Sequence, residues 1–364
     1  MVSDAVDLNA IRRVLVTKLR HHGDVLLTSP VFQVLRNHAP HVEIDALVYR
    51  DTADMLTLHP AITQVHTIDR QWKRLGPRAQ LAAEWALFKT LRGRSYDLLI
   101  HLTEHPRGAW LARLLKPRFA VGRRLPDRGA VRDRLWRRSF SHLYVFPRAT
   151  PRHTVELNLD ALRRIGVYPD AAERGLVLVP GDDADAHIDE LLTQHRLAAK
   201  GFVHIHPTSR WLFKCWTEQN MTALIAQLQQ RGETVVVTAA PDERERAMVR
   251  AIVAPLAQPV IDLSGQLTLK QLAALTARAR LFIGVDSAPM HIAAALQTPV
   301  VALFGPSGEV EWGPWQVAHR VLTSDHPCRP CGNDGCGGGK VSECLTTLPV
   351  ARVLDAATGL LERA

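Results

Sequence analysis

A polar segment that can bind anions or exchange protons follows the first apolar run of the chain. It reads Lys18-Leu-Arg20-His-His-Gly23-Asp24 and starts at the end of the run 12–19. Gly23 allows a tight turn at the end of a strand, which would bring Asp24 into a ligand cleft. Aspartate at the start of a helix is also a common N-cap, so the spacing alone leaves a chemical and a structural role open. The segment lacks G-x-G-x-x-G and does not indicate a dinucleotide site.

Two hydroxyl groups and a cation follow an apolar run near the middle of the chain. Thr208, Ser209 and Lys214 come after the run 201–207. This combination suits a diphosphate, because hydroxyls donate hydrogen bonds to phosphate oxygens and an ammonium group neutralises their charge. Glu243 follows the next apolar run along the chain. A carboxylate at that place can accept hydrogen bonds from a ribose diol.

A further segment joins a strand pattern to a helix pattern and reads Gly284-Val-Asp286-Ser287-Ala-Pro-Met-His291. Ser287 is a good N-cap, and the free amides of a first helical turn form a natural diphosphate site. Asp286 cannot attract a phosphate, so it would orient loop amides or a sugar hydroxyl. His291 falls one turn inside the helix, where a histidine is more often part of the core than a catalyst.

Short apolar runs and helical patterns alternate along the chain and predict the scaffold for these segments. The predicted strands are 12–19, 41–48, 96–102, 201–207, 233–239, 279–285 and 299–305. The predicted helices are 24–37, 51–58, 78–91, 217–231, 241–254, 268–278 and 288–296. Strands separated by helices are typical of doubly wound, parallel α/β sheets.

The cycle of strands and helices restarts after the turn-rich segment 167–200, which predicts two Rossmann-like domains. We place them at 1–175 and 176–364, with their sheets facing one cleft. The motifs of the C-terminal half all follow strands, so they should meet at one edge of one sheet, where such folds bind ligands. This architecture alone admits glycosyltransferases, epimerases and periplasmic-type binding proteins.

Length and composition agree with two globular domains. The chain has 364 residues and is 46% hydrophobic, which excludes a disordered or fibrous protein. Its longest stretch without Asp, Glu, Lys or Arg, 287–308, contains three prolines and a histidine. A helix followed by a buried strand explains that stretch better than a membrane span. Two aspartates and no apolar core in the first residues argue against a secretory signal, so we expect a cytoplasmic protein.

The chain carries a formal charge of +9, and its excess of arginine is concentrated in the segment 107–152. This basic segment holds twelve arginines and one lysine against two acids. It is either a solvated surface or a site for phosphorylated groups, which guanidinium binds with two hydrogen bonds. Nucleic-acid binding is a weaker alternative, because no recognised module accompanies the charge. We expect Arg123 and Arg124, with Arg20, to contact an anionic substrate.

Four of the five cysteines lie in one Gly-rich segment near the C-terminus: Cys328, Cys331, Cys336 and Cys344. Four clustered thiols can hold a structural zinc ion, but their C-x2-C-x4-C-x7-C spacing is not that of a standard zinc ribbon. Reduced thiols in a loop are the alternative. None of the strand-end motifs contains a D-x-D pair of the sort that holds a divalent ion on a sugar nucleotide. We therefore expect no metal and no cofactor in the reaction.

Taken in order, the motifs resemble those of the ADP-heptose:lipopolysaccharide heptosyltransferases. These are K-x-R-x-x-G-D near the N-terminus, H-P-x-x-x-x-x-x-K-x-W after mid-chain, and G-V-D-S-x-x-x-H-x-A-A-A. The family comprises inverting glycosyltransferases of family 9 with the two-domain GT-B fold, and the resemblance covers nearly the whole chain. The sequence around Lys214 and the Cys-rich tail look most like those of the heptosyltransferase III branch.

The resemblance implies roles for individual residues. Asp24 matches the catalytic aspartate that takes the proton of the acceptor hydroxyl, and Lys214 matches the lysine on the donor diphosphate. Asp286, Ser287 and His291 match the motif around ADP. Glu243 matches the carboxylate on the adenosine ribose less closely, because Asp242 and Glu245 lie beside it and compete for that role.

The implied activity is the transfer of a heptosyl group from ADP-L-glycero-D-manno-heptose to a hydroxyl of the inner lipopolysaccharide core. The N-terminal domain would bind the phosphorylated acceptor and the C-terminal domain the donor. The basic segment would bring the enzyme into peripheral contact with the cytoplasmic face of the inner membrane. A transferase for another nucleotide sugar, or a non-catalytic binder of sugar nucleotides or polyanions, is the alternative.

Overall fold

The computed structural model describes residues 4–125, 130–146 and 150–363. The chain forms two compact units, Met1–Val177 and Leu178–Ala364. None of the helices in the described residues is both long enough and apolar enough to cross a membrane.

The N-terminal unit is built on six parallel strands in the order β3-β2-β1-β4-β5-β6. These strands are β1 Arg13–Lys18, β2 Glu43–Tyr49, β3 Gln64–Ile68, β4 Leu98–His101, β5 Phe119–Arg123 and β6 His142–Tyr144. Its α-helices are α1 His22–Leu26, α2 Ser29–His38, α3 Pro77–Arg94, α4 Pro106–Leu115, α5 Ala130–Arg137 and α6 Thr154–Arg163. Short 3-10 helices occupy Leu8–Ala10, Arg50–Met55, Arg70–Arg74 and Ala171–Arg174.

The C-terminal unit contains a second sheet of six parallel strands, in the order β12-β11-β10-β7-β8-β9. These strands are β7 Phe202–His206, β8 Thr234–Val237, β9 Ile261–Asp262, β10 Leu281–Val285, β11 Val300–Leu303 and β12 His319–Leu322. Its α-helices are α7 Asp182–Gln194, α8 Glu218–Gln230, α9 Glu243–Val253, α10 Leu269–Arg278, α11 Ala288–Ala295, α12 Glu309–Trp312, α13 Glu343–Thr346 and α14 Val350–Leu361. Leu212–Lys214 and Cys336–Gly338 are 3-10 helices.

Both sheets have the strand order of a Rossmann fold. In each unit the first strand lies in the middle, its next two strands extend to one side, and the last three extend to the other. The order therefore reverses between β1 and β4 and between β7 and β10. Ligands of such sheets bind at the carboxyl ends of the strands that flank this reversal, so the ends of β1, β4, β7 and β10 define where a site can form.

The central strands form because their residues are apolar on both faces. Val14, Leu15 and Val16 of β1 are almost fully buried, as are all residues of β10. A parallel strand covered by helices on both faces requires such a continuous apolar run. The same signal made these strands predictable from the sequence, and all seven predicted strands are confirmed.

Several elements differ from the predictions. The helix predicted over 24–37 is broken into α1 and α2, because Pro30, in the first turn of α2, has no backbone N–H to donate to the turn before it. The helical stretch predicted over 51–58 is a 3-10 helix that covers Arg50–Met55. Five short strands were not predicted: β3, β5, β6, β9 and β12. They lack a long apolar run.

Candidate functional site

Lys18 connects three elements at the carboxyl edge of the N-terminal sheet. Its ammonium group donates hydrogen bonds to the carbonyl oxygen of Leu102, at 3.1 Å, and to Oδ1 of Asn158, at 3.1 Å. The amide of Asn158 in turn donates to the carbonyl oxygen of Leu27, at 3.0 Å. The end of β1, the end of β4, helix α6 and the break between α1 and α2 are thereby held together.

Burial lowers the pKa of Lys18 to about 8. The negative charge of Asp24 opposes this shift and favours the ammonium form, whereas Arg20 and Arg123 act with burial. Lys18 is therefore within electrostatic reach of Asp24, although its hydrogen bonds go elsewhere. The lysine of the K-x-R-x-x-G-D motif anchors the scaffold beneath the aspartate.

Asp24 is the third residue of α1 and is partly exposed. The N-cap position belongs to His21, so capping does not explain the aspartate. Its carboxylate makes no hydrogen bond or ion pair to any residue that the structure describes. A carboxylate held near a sheet edge without a partner in the fold is available to accept a proton from a bound hydroxyl.

The three arginines expected to contact an anionic substrate differ in their surroundings. Arg20 and Arg124 are exposed, whereas Arg123 is ion-paired with Glu104 and lies over the ring of Phe146, 3.7 Å from its centroid. Glu104 was not singled out from the sequence, although it follows the predicted strand 96–102 and the rule of strand ends would have found it.

The arginines of the basic segment 107–152 do not form one free surface. Arg107 forms two hydrogen bonds with Glu84, and Arg152 is paired with Asp160 at 2.8 Å. The exposed ones among the described side chains are Arg118, Arg124, Arg134, Arg137 and Arg138. The side chains of Arg128, Arg132 and Arg148 lie outside the described residues.

Lys214 and Asp286 form an ion pair at the carboxyl edge of the C-terminal sheet. Nζ of Lys214 lies 2.6 Å from Oδ2 of Asp286, 72 positions away in the sequence. Lys214 is the last residue of the 3-10 helix after β7, and Asp286 follows β10 directly. The two strands are neighbours in the sheet, so the topology brings together the cation and the acid that two separate motifs supply.

Thr208 is also placed at this edge, where its hydroxyl donates to Oε2 of Glu245 at 2.7 Å. Both residues are buried. At the end of β7, two residues before Thr208, the imidazole of His206 bonds to the hydroxyl of Thr238 at 2.9 Å. The hydroxyl of Ser209 accepts a bond from the backbone N–H of Trp211 at 3.3 Å.

The predicted ribose carboxylate, Glu243, is not brought together with Thr208. Its side chain is 70% exposed and forms ion pairs with Arg250 and Arg246 along α9. The side-chain hydrogen bond from Arg250 lowers the pKa of Glu243. Of the competing acids, Glu245 is the one that lies at the sheet edge, because it is buried against Thr208.

Helix α11 begins at this edge with its first amides uncapped by a side chain. Ser287 occupies the N-cap position, but its hydroxyl donates to the carbonyl oxygen of Val285 at 3.3 Å and forms no capping bond. Gly284 is buried within β10, where a Cβ would lie 2.7 Å from the ring of Phe282 and 3.0 Å from the carbonyl oxygen of His206. Close strand packing therefore accounts for this glycine. His291 is buried in the helix.

The five cysteines are free thiols, and Cys344 is buried whereas Cys328, Cys331 and Cys336 are exposed. Within the described ranges, no group of three or more His, Cys, Asp or Glu residues is placed to hold a metal ion. Cys215 is buried, and burial raises the pKa of its thiol to about 12. It remains protonated at neutral pH and packs as an apolar side chain.

Comparison with known proteins gives this geometry a family. The model of glycosyltransferase family 9 (heptosyltransferase) matches residues 84–341. The chain is 37% identical over 302 residues to lipopolysaccharide heptosyltransferase 3 of Escherichia coli K12, covering 82% of this chain and 83% of that protein. The chain belongs to glycosyltransferase family 9. The resemblance stated from the motifs is confirmed, and this family 9 member is a glycosyltransferase.

Solved structures confirm the predicted fold. A family 9 glycosyltransferase from Veillonella parvula superposes with a TM-score of 0.84 at 23% identity, covering all of both chains. The ADP-heptose lps heptosyltransferase II of E. coli superposes with a TM-score of 0.75 at 19% identity, covering 96% of this chain and 99% of that one. The two Rossmann-like sheets of this family 9 chain are those of the GT-B fold.

Proposed function

We propose that this protein transfers a heptosyl group from ADP-L-glycero-D-manno-heptose to a hydroxyl of the inner lipopolysaccharide core, with inversion at the anomeric carbon. The observation that carries the proposal is the 37% identity, over most of both chains, to a lipopolysaccharide heptosyltransferase 3. The two charged centres support it. Asp24 supplies a carboxylate without a partner among the described residues, and Lys214 supplies a cation at the same sheet edge as the buried hydroxyl of Thr208.

In the proposed reaction the acceptor oxygen forms a bond to the anomeric carbon of the heptose while the bond from that carbon to the ADP oxygen breaks. The acceptor proton passes to Asp24, and the electron pair of the broken bond leaves with ADP. Lys214 and the uncapped amides of α11 stabilise the negative charge that grows on the diphosphate. None of these steps needs a metal ion.

The ion pair between Lys214 and Asp286 can couple the charge of the lysine to the presence of the donor. Before the donor binds, Asp286 neutralises the ammonium group at 2.6 Å. We infer that the diphosphate competes for Lys214, and that Asp286 is then free to accept hydrogen bonds from sugar hydroxyls. The charge of the lysine is thereby directed to the leaving group only when donor occupies the site.

Donor turnover tests the proposed function. The protein is incubated with ADP-heptose, ADP-glucose, UDP-sugars or GDP-mannose, together with lipopolysaccharide core acceptors of graded length, and the released nucleotide is measured. We expect acceptor-dependent release of ADP from ADP-heptose. Release from a UDP- or GDP-sugar alone would indicate a transferase for another donor. ADP binding without turnover on any acceptor would indicate a non-catalytic binder.

The donor-site assignment predicts how three variants bind ADP. Lys214→Ala should weaken ADP binding and lower kcat, because the lost charge counts most as ADP leaves. We propose that Glu245, which contacts Thr208, takes the ribose role instead of Glu243. Glu245→Gln should therefore weaken ADP binding by about tenfold, the cost of one good hydrogen bond to a charged group. Glu243→Gln is the matched control and should leave it unchanged, as measured by isothermal titration. If Glu243→Gln weakened ADP binding and Glu245→Gln did not, Glu243 would be the residue that contacts the ribose.

We propose that the N-terminal unit binds the phosphorylated acceptor and that its exposed arginines hold the enzyme at the cytoplasmic face of the inner membrane. The arginines to test are fewer than the whole basic segment 107–152, since Arg107, Arg123 and Arg152 form ion pairs within the fold. Exposed cations attract phosphate groups and an anionic leaflet alike, within a Debye length.

Charge reversal of exposed arginines should raise the acceptor KM and leave the donor KM nearly unchanged. The test variant changes these residues to Glu: Arg118, Arg124, Arg134 and Arg138. Each lost contact should cost about 1 kcal/mol at low salt and less at high salt. The matched control makes four reversals on exposed arginines of the C-terminal unit: Arg196, Arg320, Arg352 and Arg363. If the test variant and the control variant had the same acceptor KM, the basic segment would be only a solvated surface.

A further inference from the structure

Helices α3 and α4 of the N-terminal unit expose a row of large apolar side chains. Leu81 is 69% exposed and Trp85 54% exposed on α3, and Trp110 is 56% exposed and Leu114 49% exposed on α4. Each pair is four residues apart, so its members lie on the same helix face. Isolated apolar side chains are common at protein surfaces, but these four side chains line one groove, and a continuous exposed apolar patch marks an interaction site.

The patch surrounds an open groove with a volume of about 460 Å³. Its floor consists of buried residues, including Leu47, Ile68 and Leu91. The polar residues among its lining are Glu84, His105 and Arg107. The groove is therefore suited to hydrocarbon and offers few partners to a polar ligand.

The surroundings of the groove carry more positive than negative charge. Helices α3 and α4 together carry six Lys or Arg residues and a single acid, Glu84, although Arg94 is ion-paired with two acids of β2. That acid is neutralised by Arg107 through two hydrogen bonds of 2.5 and 2.6 Å. Lys89 and Arg92 lie beside the apolar row, with their charged groups 5.8 Å from the Trp85 ring and 5.9 Å from the Phe88 ring. The occupant should thus be apolar in its interior and anionic at its surface.

We propose that the α3–α4 face inserts into the headgroup region of an anionic lipid bilayer. Trp85 and Trp110 would lie at the level of the headgroups, where tryptophan is favoured. Leu81 and Leu114 would reach the acyl chains, and Lys89 and Arg92 would contact lipid phosphates. This is the pattern of helices that lie on a membrane without crossing it. The inference rests on the proposed function in one respect: that function requires a lipid-anchored acceptor.

This face adds an apolar component to the electrostatic attraction proposed for the basic segment. Charge alone gives binding that salt abolishes, since exposed charges are screened within about 10 Å at moderate ionic strength. Insertion of aromatic side chains is not screened. The α3–α4 face should therefore retain the enzyme on vesicles at a salt concentration that removes purely electrostatic binding.

Vesicle co-sedimentation tests the inference on the full chain. The vesicles are phosphatidylcholine with phosphatidylglycerol, or phosphatidylcholine alone. The double variant Trp85→Ser/Trp110→Ser should bind the anionic vesicles at least about tenfold more weakly than wild type, at low and at high salt. The matched control is Tyr168→Ser, an aromatic residue of the same unit that is 54% exposed and lies outside the groove. It should bind as wild type does.

A second variant separates the charges from the apolar row. Lys89→Gln/Arg92→Gln should lose roughly tenfold or more of its affinity for the anionic vesicles at low salt and almost none for phosphatidylcholine alone. Circular dichroism and the thermal midpoint of each variant establish that it is folded. All four side chains are exposed, so the fold should tolerate their replacement.

The result that overturns the inference is unchanged vesicle binding by the tryptophan variant. A wild-type dimer in sedimentation velocity that the same variant converts to monomer would also overturn it, because the face would then bind a second copy of the chain. Transfer to a lipid-free core oligosaccharide, measured in parallel, keeps the two proposals apart. Normal transfer with no vesicle binding refutes the membrane face alone, and vesicle binding with no transfer on any acceptor refutes the proposed function alone.

Discussion

Asp24→Asn should lower kcat for heptosyl transfer by about 10²–10⁴-fold, the usual contribution of a positioned general base. Asparagine keeps the shape of the side chain but cannot accept the acceptor proton. Affinity for ADP should hardly change, because the residues proposed for the donor site lie in the C-terminal unit. Steady-state kinetics with ADP-heptose, combined with calorimetric titration of ADP, measures both quantities.

The loss of activity in Asp24→Asn should not come from a loss of stability. The Asp24 carboxylate has no hydrogen-bond or ion-pair partner among the described residues, and His21 occupies the cap of α1. The substitution therefore removes no hydrogen bond; it removes the attraction of the carboxylate to the Lys18 ammonium group and to the N-terminus of α1, the latter worth about 0.3–1 kcal/mol. Asp183→Asn, in the exposed first turn of α7, is the matched control for that electrostatic effect. It should keep full activity.

Wild-type kcat in Asp24→Asn would refute the proposed mechanism, whatever its effect on stability. A loss of activity that parallels a lowered thermal midpoint, and that returns when the variant is assayed at a lower temperature, would assign Asp24 a structural role. Retained donor hydrolysis without transfer would instead place Asp24 on the acceptor and leave the departure of ADP to other groups.

The sequence predicted the central strands and the edge at which the motifs meet, because both depend on local patterns. An apolar run such as 201–207 cannot be exposed, and a parallel sheet then places whatever follows it at the carboxyl edge. Lys214 and Asp286 could be assigned to one edge for this reason. Their direct ion pair was not predictable, since it depends on which strands are neighbours, and β7 and β10 are far apart in the sequence.

Local patterns could not predict which of Glu243 and Glu245 faces the sheet edge. The two residues are separated by about 200° around α9, so only one of them can face the sheet edge. Asp242 caps the helix, and its side chain accepts from the backbone N–H of Arg244. This start turns Glu243 toward solvent and Glu245 toward Thr208. A shift of the helix start by one residue is well within the error of any sequence-based assignment. Such a shift would have changed which glutamate is expected to face Thr208.

Acidification should destabilise the C-terminal unit through two histidines of its central strand. His204 and His206 lie on β7 and are buried. Burial lowers the pKa of His204 to about 3 and that of His206 to about 4. His204 bonds to Thr238 at 2.7 Å and to Thr276 at 3.1 Å, so the neutral imidazole is well satisfied in the folded state.

The direction in which the free energy of unfolding changes with pH follows from how many protons the folded and the unfolded chain bind. In the unfolded chain both histidines have a pKa near 6.5. Between that value and about 4, the unfolded state binds more protons, so the free energy of unfolding falls as the pH falls. Each histidine contributes about 1.4 kcal/mol per pH unit in this window. Together they should remove about 5 kcal/mol between pH ~6.5 and pH ~4.5, a large share of the stability of a typical domain.

Hydrogen exchange of peptides from β7 and β10, followed from neutral pH down to about pH 4.5 and corrected for the intrinsic exchange rate, measures this loss within the full chain. The variant His204→Gln/His206→Asn should be less stable at neutral pH, because it repacks a buried strand, but its stability should change much less with pH. His319→Asn, at an exposed position of the same unit, is the matched control and should keep the wild-type pH dependence. If the double variant and wild type lose protection in parallel as the pH falls, other groups cause the acid sensitivity, and the two histidines have the same pKa in the folded and unfolded states.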